Sequence, residues 1–402
     1  MANPYRILFQ APGAKGFSLA GLLARLALPM SGIGIITMLS QLRGSYALAG
    51  AVSATFVLTF ALTSPQVSRL VDRYGQRRVL PVSTGISVAG FLVLLACTYW
   101  QTPTWTLFVA AVLAGFMPSI SAMVRARWTA LYRGKPQLQT AYSLETVLDE
   151  VTFIVGPPLA VGLSVAVFPQ AGLLAAAVLL ATGVLTLAAQ VSSEPPVQAD
   201  EQTSRRPTSV FRLAEVRLLT LLMVAMGVIV GTVDIVSVAF AEQLGSPLAA
   251  SIVLSCYAIS SCAAGLVFGA LKLQTPLHKL LLIGGLATGA TTLPLMIAGN
   301  IAGLAGAVLV AGVFFAPSMI VAMSLVERIV PERQLTEGMT WLLAGLNVGV
   351  ALGAAASGQL VDIEGARAGF NIALAAGVTV VLIAYWGYRR LREQALAAAC
   401  VA

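Results

Sequence analysis

The chain has 402 residues, of which 58% are hydrophobic and 10% charged, and its mean hydropathy is +0.89. Soluble domains carry about 25% charged residues, so this composition excludes a water-soluble domain and indicates an integral membrane protein. The formal charge of +8 sits on arginines and lysines in short gaps between apolar runs, a pattern that sets membrane orientation rather than one that binds nucleic acid.

A helix needs about 20 apolar residues to span a bilayer, and these runs do not alternate with period two as the strands of a membrane barrel would. The expected fold is therefore all-α. Twelve transmembrane helices are predicted, near 17–42, 46–68, 79–99, 104–124, 141–167, 170–190, 218–241, 247–271, 280–298, 301–326, 336–361 and 369–388. The first is read as a retained helix, because no charged region and cleavage site precede it. The longest polar stretch, SSEPPVQADEQTSRRPTS, follows the sixth span and reads as a flexible linker. It divides the chain into an N-terminal six-helix bundle (1–190), a linker (191–217) and a C-terminal six-helix bundle (218–402).

Of the 24 lysines and arginines, 21 fall at the termini or in the loops that follow even-numbered spans. Arg125, Arg127 and Arg133 are counted in the loop after the fourth span. Arg43 and Arg367 lie on the opposite side, and Arg25 lies within the first span. Positive charge stays inside, which predicts a multi-pass protein of the plasma (inner) membrane with both termini cytoplasmic. The halves also repeat: Gln41-Leu42-Arg43-Gly44-Ser45 has a counterpart in Gln243-Leu244-Gly245-Ser246, and Pro118-Ser119 has one in Pro317-Ser318. Gln137-Leu138 and Gly156 recur as Gln334-Leu335 and Gly353.

Taken in chain order, the candidate functional residues begin with Arg25, roughly 12 Å into the first span at 1.5 Å per residue. An ionisable side chain inside a span is costly and is a functional candidate by default. Between the second and third spans lies SPQVSRLVDRYGQRRVL, residues 64–80. Its Leu70, Asp72, Arg73, Gly75 and Arg77 resemble the G-x-L-x-D-R-x-G-r-k signature of the major facilitator superfamily, with Ser68 where that family has glycine. Gly75 permits a sharp turn, and Asp72 is suited to cap the positive end of a helix. The resemblance implies that this helix is the eleventh, that Asp72, Arg73, Gly75 and Arg77 form a cytoplasmic gate, and that the contact locks that side shut. It further implies two pseudo-symmetric bundles with a substrate site between them.

The fifth span holds Glu145, Asp149 and Glu150. Glu145 and Asp149 share a helix face, and Glu150 is turned about 100° from Asp149. Glu145 is expected near the cytoplasmic surface, paired with Arg125, Arg127 or the basic loop. Arg25 is read as the only cation at the depth of the other two acids, so a buried Arg25–Asp149 or Arg25–Glu150 pair is expected, either a fixed brace or a proton switch. Gly156-Pro157 resembles the bend motif of the drug/proton antiporters of that superfamily, with Thr152, Ala160 and Val161 at its other glycine positions. The fourth span departs from the antiporter pattern, with Ala111 in place of arginine. Asp234 in the seventh span has no evident cation in its half and is read as a proton or substrate site. Asn347 is the polar residue of the eleventh span, and Met117, Tyr257, Phe314 and Trp341 are further candidates for lining a cavity.

Cys97, Cys256, Cys262 and Cys400 have no ligand spacing, and His278 is placed in a loop, so neither metal nor cofactor is expected. No P-loop, His/Cys cluster or nucleophile–base pair is visible, which argues against an enzyme. SGQLVDIEGARAGF, residues 357–370, resembles the sugar- and drug-efflux branch. Together these features predict a monomeric secondary transporter that exports a small amphiphilic compound or metabolite in exchange for protons. The alternatives are uptake or facilitated diffusion of a nutrient, or a receptor or lipid-binding protein of the same shape that does not cycle.

Overall fold

A computed structural model describes residues 4–196, 209–244, 249–271 and 275–401, and among them there are helices and no strands. After a short α1 (Pro4–Leu8), the first span is built from α2 (Ala14–Arg25) and α3 (Ala27–Arg43). There follow α4 (Tyr46–Tyr74), α5 (Gln76–Tyr99), the pair α6 (Thr104–Ala114) and α7 (Ile120–Tyr132), α8 (Gln137–Ala166) and α9 (Ala171–Ala189). The later spans are α10 (Ala214–Gln243), α11 (Ala249–Ala270), α12 (Leu277–Ala290) with α13 (Leu293–Met296), α14 (Ile301–Val313) with α15 (Phe315–Ile329), α16 (Leu335–Glu364) and α17 (Ala366–Val401). Among the described residues, eleven spans are long and apolar enough to cross a membrane, and the shorter Thr104–Ala114 begins the remaining one, fourth in chain order.

The chain condenses into two compact units, one of Met1–Leu138, Leu148–Ser209 and Glu332–Thr340, the other of Gln139–Val147, Val210–Pro331 and Trp341–Ala402. Residues 197–208 of the expected linker, with Gly245 and Ser246 of the expected repeat, lie outside the described residues. In the first unit α9 packs against α2, α3 and α5, and α4 packs against α3, α5 and α6. The Gly44-Ser45 pair does separate work at each end of one turn. Gly44 closes α3 at φ 63°, and the Ser45 hydroxyl caps α4 by accepting the Leu48 N–H at 3.2 Å.

The fourth span is not the single helix expected over 104–124. It breaks at Gly115–Ser119, because Pro118 has no N–H to donate, and it resumes as α7. Broken backbone is tolerated in a membrane only where other protein groups satisfy it. Here three hydroxyls do so: Ser87 donates to the Ala114 carbonyl at 2.6 Å, Thr63 to that of Gly115 at 2.9 Å, and Ser83 to that of Phe116 at 2.5 Å. The break moves Arg125 and Arg127 out of the expected loop and into α7, where both are fully buried. Met117 lies within the break and is buried too, so it packs rather than faces an open surface. His278, expected in a loop, stands in the first turn of α12.

In the second unit α10 packs against α17, α11 against α14, and α12 against α17. α10 and α16 also approach closely, where glycines meet carbonyls. A Cβ at Gly231 would lie 2.1 Å from the Val350 oxygen, and one at Gly349 would lie 2.1 Å from the Val224 oxygen.

Candidate functional site: a helix-end latch and intramembrane charges

The stretch 64–80 is almost entirely helical. α4 runs through Tyr74 and α5 starts at Gln76, so Gly75 alone makes the turn, with φ 87° and ψ 155°, a conformation that suits glycine. This places Asp72 in the last turn of α4. Its carboxylate accepts the backbone N–H of Thr336 at 3.2 Å and that of Glu337 at 2.8 Å. These amides belong to the first turn of α16, where N–H groups have no partner within the helix and the dipole favours an anion. One turn back on α4, Ser68 meets Thr340 at 2.7 Å between hydroxyl oxygens. The Ser209 hydroxyl donates to Glu337. Arg133 and Glu332 form an ion pair at 2.7 Å, but both side chains are at least a third exposed, so it adds little. Arg73 is exposed over the Tyr74 ring at 5.1 Å, and the Arg77 side chain is exposed as well.

The turn is braced from behind. Buried Arg127 donates to Gln76 Oε1 at 2.8 Å, to Ser193 Oγ at 2.7 Å and to the Gln190 and Leu187 carbonyls at 2.8 and 2.9 Å. It therefore ties the C-terminal carbonyls of α9, where a cation is favoured, to the first residue of α5. Glu194 accepts the Arg77 N–H at 2.9 Å and so caps α5 with the opposite sign. A cavity of about 30 Å³ lies against this turn, lined by Asp72, Gln76, Thr129, Pro195 and Thr336 among others.

Deeper in the first unit, Arg25 ends α2, since Pro29 cannot donate to its carbonyl. The structure brings Arg25 to Asp149, with Nη1 to Oδ1 at 3.0 Å. It also supplies a second cation: Arg125 Nη1 reaches Asp149 Oδ2 at 2.8 Å, and Ser121 donates to Oδ1. The guanidinium side chains are 3% and 0% exposed and the carboxylate 15%. Arg25 is therefore not the only cation at this depth. Three acids against one arginine in the apolar runs were the available signal that another was needed. Glu150 is half-buried at the next position of α8, and Glu145, one turn before Asp149, is fully buried. α8 continues unbroken through Gly156 and Pro157, and Gly156 faces Pro29, whose Cγ would be 2.9 Å from an added Cβ.

Asp234 belongs to the second unit. It is exposed on α10 between buried Val233 and Val236, and among the described residues no hydrogen bond or ion pair reaches it. Asn347 is half-buried on α16. Tyr257 and Phe315 rings lie 5.9 Å apart, with Phe314 half-buried beside them, and Trp341 stacks on Phe211 at 4.2 Å. Thr340, Ser209 and Glu194 carry no signal in the sequence, and Arg127 enters there only as one possible partner of Glu145. Nothing local marks them, because each acquires its role from a partner on a distant element. Among the described residues no cluster of three His, Cys, Asp or Glu side chains is placed to hold a metal ion.

Two overlapping segments, residues 17–238 and 218–398, match the family model described as Major Facilitator Superfamily. No curated protein sequence matches the chain. Among solved structures, a bacterial homologue of the iron transporter ferroportin in its outward-facing state is 15% identical, with a TM-score of 0.73 over 93% of this chain and 98% of that one. The human organic anion transporter MFSD10 (TETRAN) is 14% identical, with a TM-score of 0.70 over 93% of this chain and 100% of that one. The E. coli fucose:proton symporter FucP is 14% identical, with a TM-score of 0.68 over 92% and 98%. Likeness at these identities is one of fold.

Proposed function

The chain belongs to the major facilitator superfamily, and from that premise we propose that it exports a small amphiphilic or metabolite-like molecule in exchange for protons. As a member it is a multi-pass transporter rather than an enzyme. In our reading it sits in the plasma (inner) membrane as a monomer with both termini cytoplasmic, and works by alternating access. The Asp72 contact is made and broken during the cycle, with Arg73, Gly75 and Arg77 shaping that gate.

The observation that carries the coupling is the contrast between two carboxylates. Asp149 is held by two guanidiniums and a hydroxyl, so we assign it with Arg25 as a brace, not a switch. Asp234 is exposed on an apolar helix with no ion pair among the described residues. A carboxylate in that position can hold a proton or a polar group of the substrate, one at a time, and exclusive occupancy is what exchange requires. One structural neighbour is named a fucose:proton symporter, so this fold accommodates proton coupling.

The test is proton movement in liposomes containing the purified protein, with cationic drugs, sugars and amino acids supplied in turn. One compound class is expected to trigger proton flux, and Asp234→Asn to reduce it at least about tenfold, the factor that 1.4 kcal/mol represents. Substrate flux without protons would make the protein a facilitator and Asp234 a ligand.

A further inference from the structure

The residue at position 68, serine where the superfamily pattern has glycine, makes a contact that glycine cannot. We propose that Ser68 is a positioning residue that closes a ring of hydrogen bonds around the Asp72 contact and so holds the first turn of α16 in place. The inference rests on the reading of Asp72 as a gate.

Ser68 and Asp72 are one turn apart on α4, and Thr336 and Thr340 are one turn apart on α16. The Thr340 hydroxyl donates to the Thr336 carbonyl at 2.8 Å. A hydroxyl has a single proton to give, so the 2.7 Å contact between Ser68 and Thr340 has Ser68 as donor. The Thr336 carbonyl belongs to the same peptide unit as the Glu337 N–H, and that N–H donates to Asp72 at 2.8 Å. A peptide whose oxygen accepts a hydrogen bond is a better donor at nitrogen, and the effect is largest away from water. Ser68 and Thr340 are both 0% exposed. The order is thus Ser68 hydroxyl to Thr340 hydroxyl, to the 336–337 peptide, to Asp72, and back along one turn of α4. Removing the Ser68 hydroxyl leaves a buried acceptor unfilled and weakens the amide that grips Asp72.

The experiment is hydrogen–deuterium exchange on the full-length protein in lipid nanodiscs, which needs no knowledge of the substrate. Exchange at Thr336 and Glu337 reads the contact directly, because their amides form it. Ser68→Ala and Thr340→Val are each expected to speed exchange across residues 335–340 about fivefold, the factor a hydrogen bond worth about 1 kcal/mol represents. The double variant should be no faster than either single one, and Thr340→Ser, which keeps the hydroxyl, should match the parent protein. Faster exchange in Asp72→Asn with no change in Ser68→Ala would overturn the ring while leaving the gate intact. No change in Asp72→Asn would overturn the gate reading and the ring with it. Uniform acceleration in every segment of Ser68→Ala would show a general loss of stability and also overturn the positioning role.

Discussion

Asp149→Ala is expected to destabilise the folded protein by roughly 3–5 kcal/mol, the usual cost of removing one partner from a buried ion pair. The reason lies in what remains. Arg25 and Arg125 meet on this carboxylate with side chains 3% and 0% exposed, and an arginine cannot shed its proton to escape burial. Asp149→Asn keeps the shape and the Ser121 contact but loses the charge, so it should fall between the parent and the alanine variant. Asp149→Leu combined with Arg125→Met should recover part of the loss, since apolar replacement of a buried pair is often neutral. Thermal unfolding in detergent measures all of these. An Asp149→Ala protein that unfolds with the parent would remove the brace and reopen Asp149 as a proton carrier.

Gly349→Val should be comparably severe, for a reason that involves no charge. A Cβ at Gly349 would lie 2.1 Å from the Val224 carbonyl oxygen and 3.0 Å from the Gly227 Cα, both backbone atoms of α10. Backbone cannot yield as a flexible side chain does, so α10 and α16 would have to separate along the whole glycine-lined seam. Overpacking typically costs about 1–3 kcal/mol for small additions and more where nothing can move. Small residues at such seams let membrane helices pack closely. Gly306 provides the contrast, since nothing lies within 4 Å of a Cβ there. Gly306→Ala should be neutral or stabilising by up to about 1 kcal/mol through helix propensity alone. The yield of folded protein and its unfolding temperature separate the two sites, and equal effects would mean that seam packing is not what limits stability.

The twelve-span fold was legible because a bilayer imposes one length and one composition on each helix. The Asp72 contact was legible through a short motif, since carboxylate, glycine turn and flanking charges are contiguous. Arg125 was not. A charge near the end of an apolar run looks like a loop residue unless its acidic partner, twenty-four positions on at Asp149, is already placed. Pro118 entered the sequence reading only as half of a repeat with Pro317, and the break it makes went unread because the hydroxyls that make it tolerable come from α4 and α5, with no local pattern to link them. Gly345, Gly349 and Gly353 repeat every four residues in plain view. Their meaning appears only when the carbonyls of Thr220, Val224 and Val228 are found opposite.

The broken fourth span also bears on how the protein is made. α6 has 11 residues, about 16 Å of helix, roughly half the thickness of a bilayer core. On its own it is too short to cross lipid, and α7 brings two arginines that lipid disfavours. This segment therefore leaves the translocon as a dependent piece, stable in the membrane only beside helices that can donate to its open carbonyls. Thr63, Ser83 and Ser87 all precede it in the chain, so synthesis from the N-terminus delivers the partners before the break that needs them.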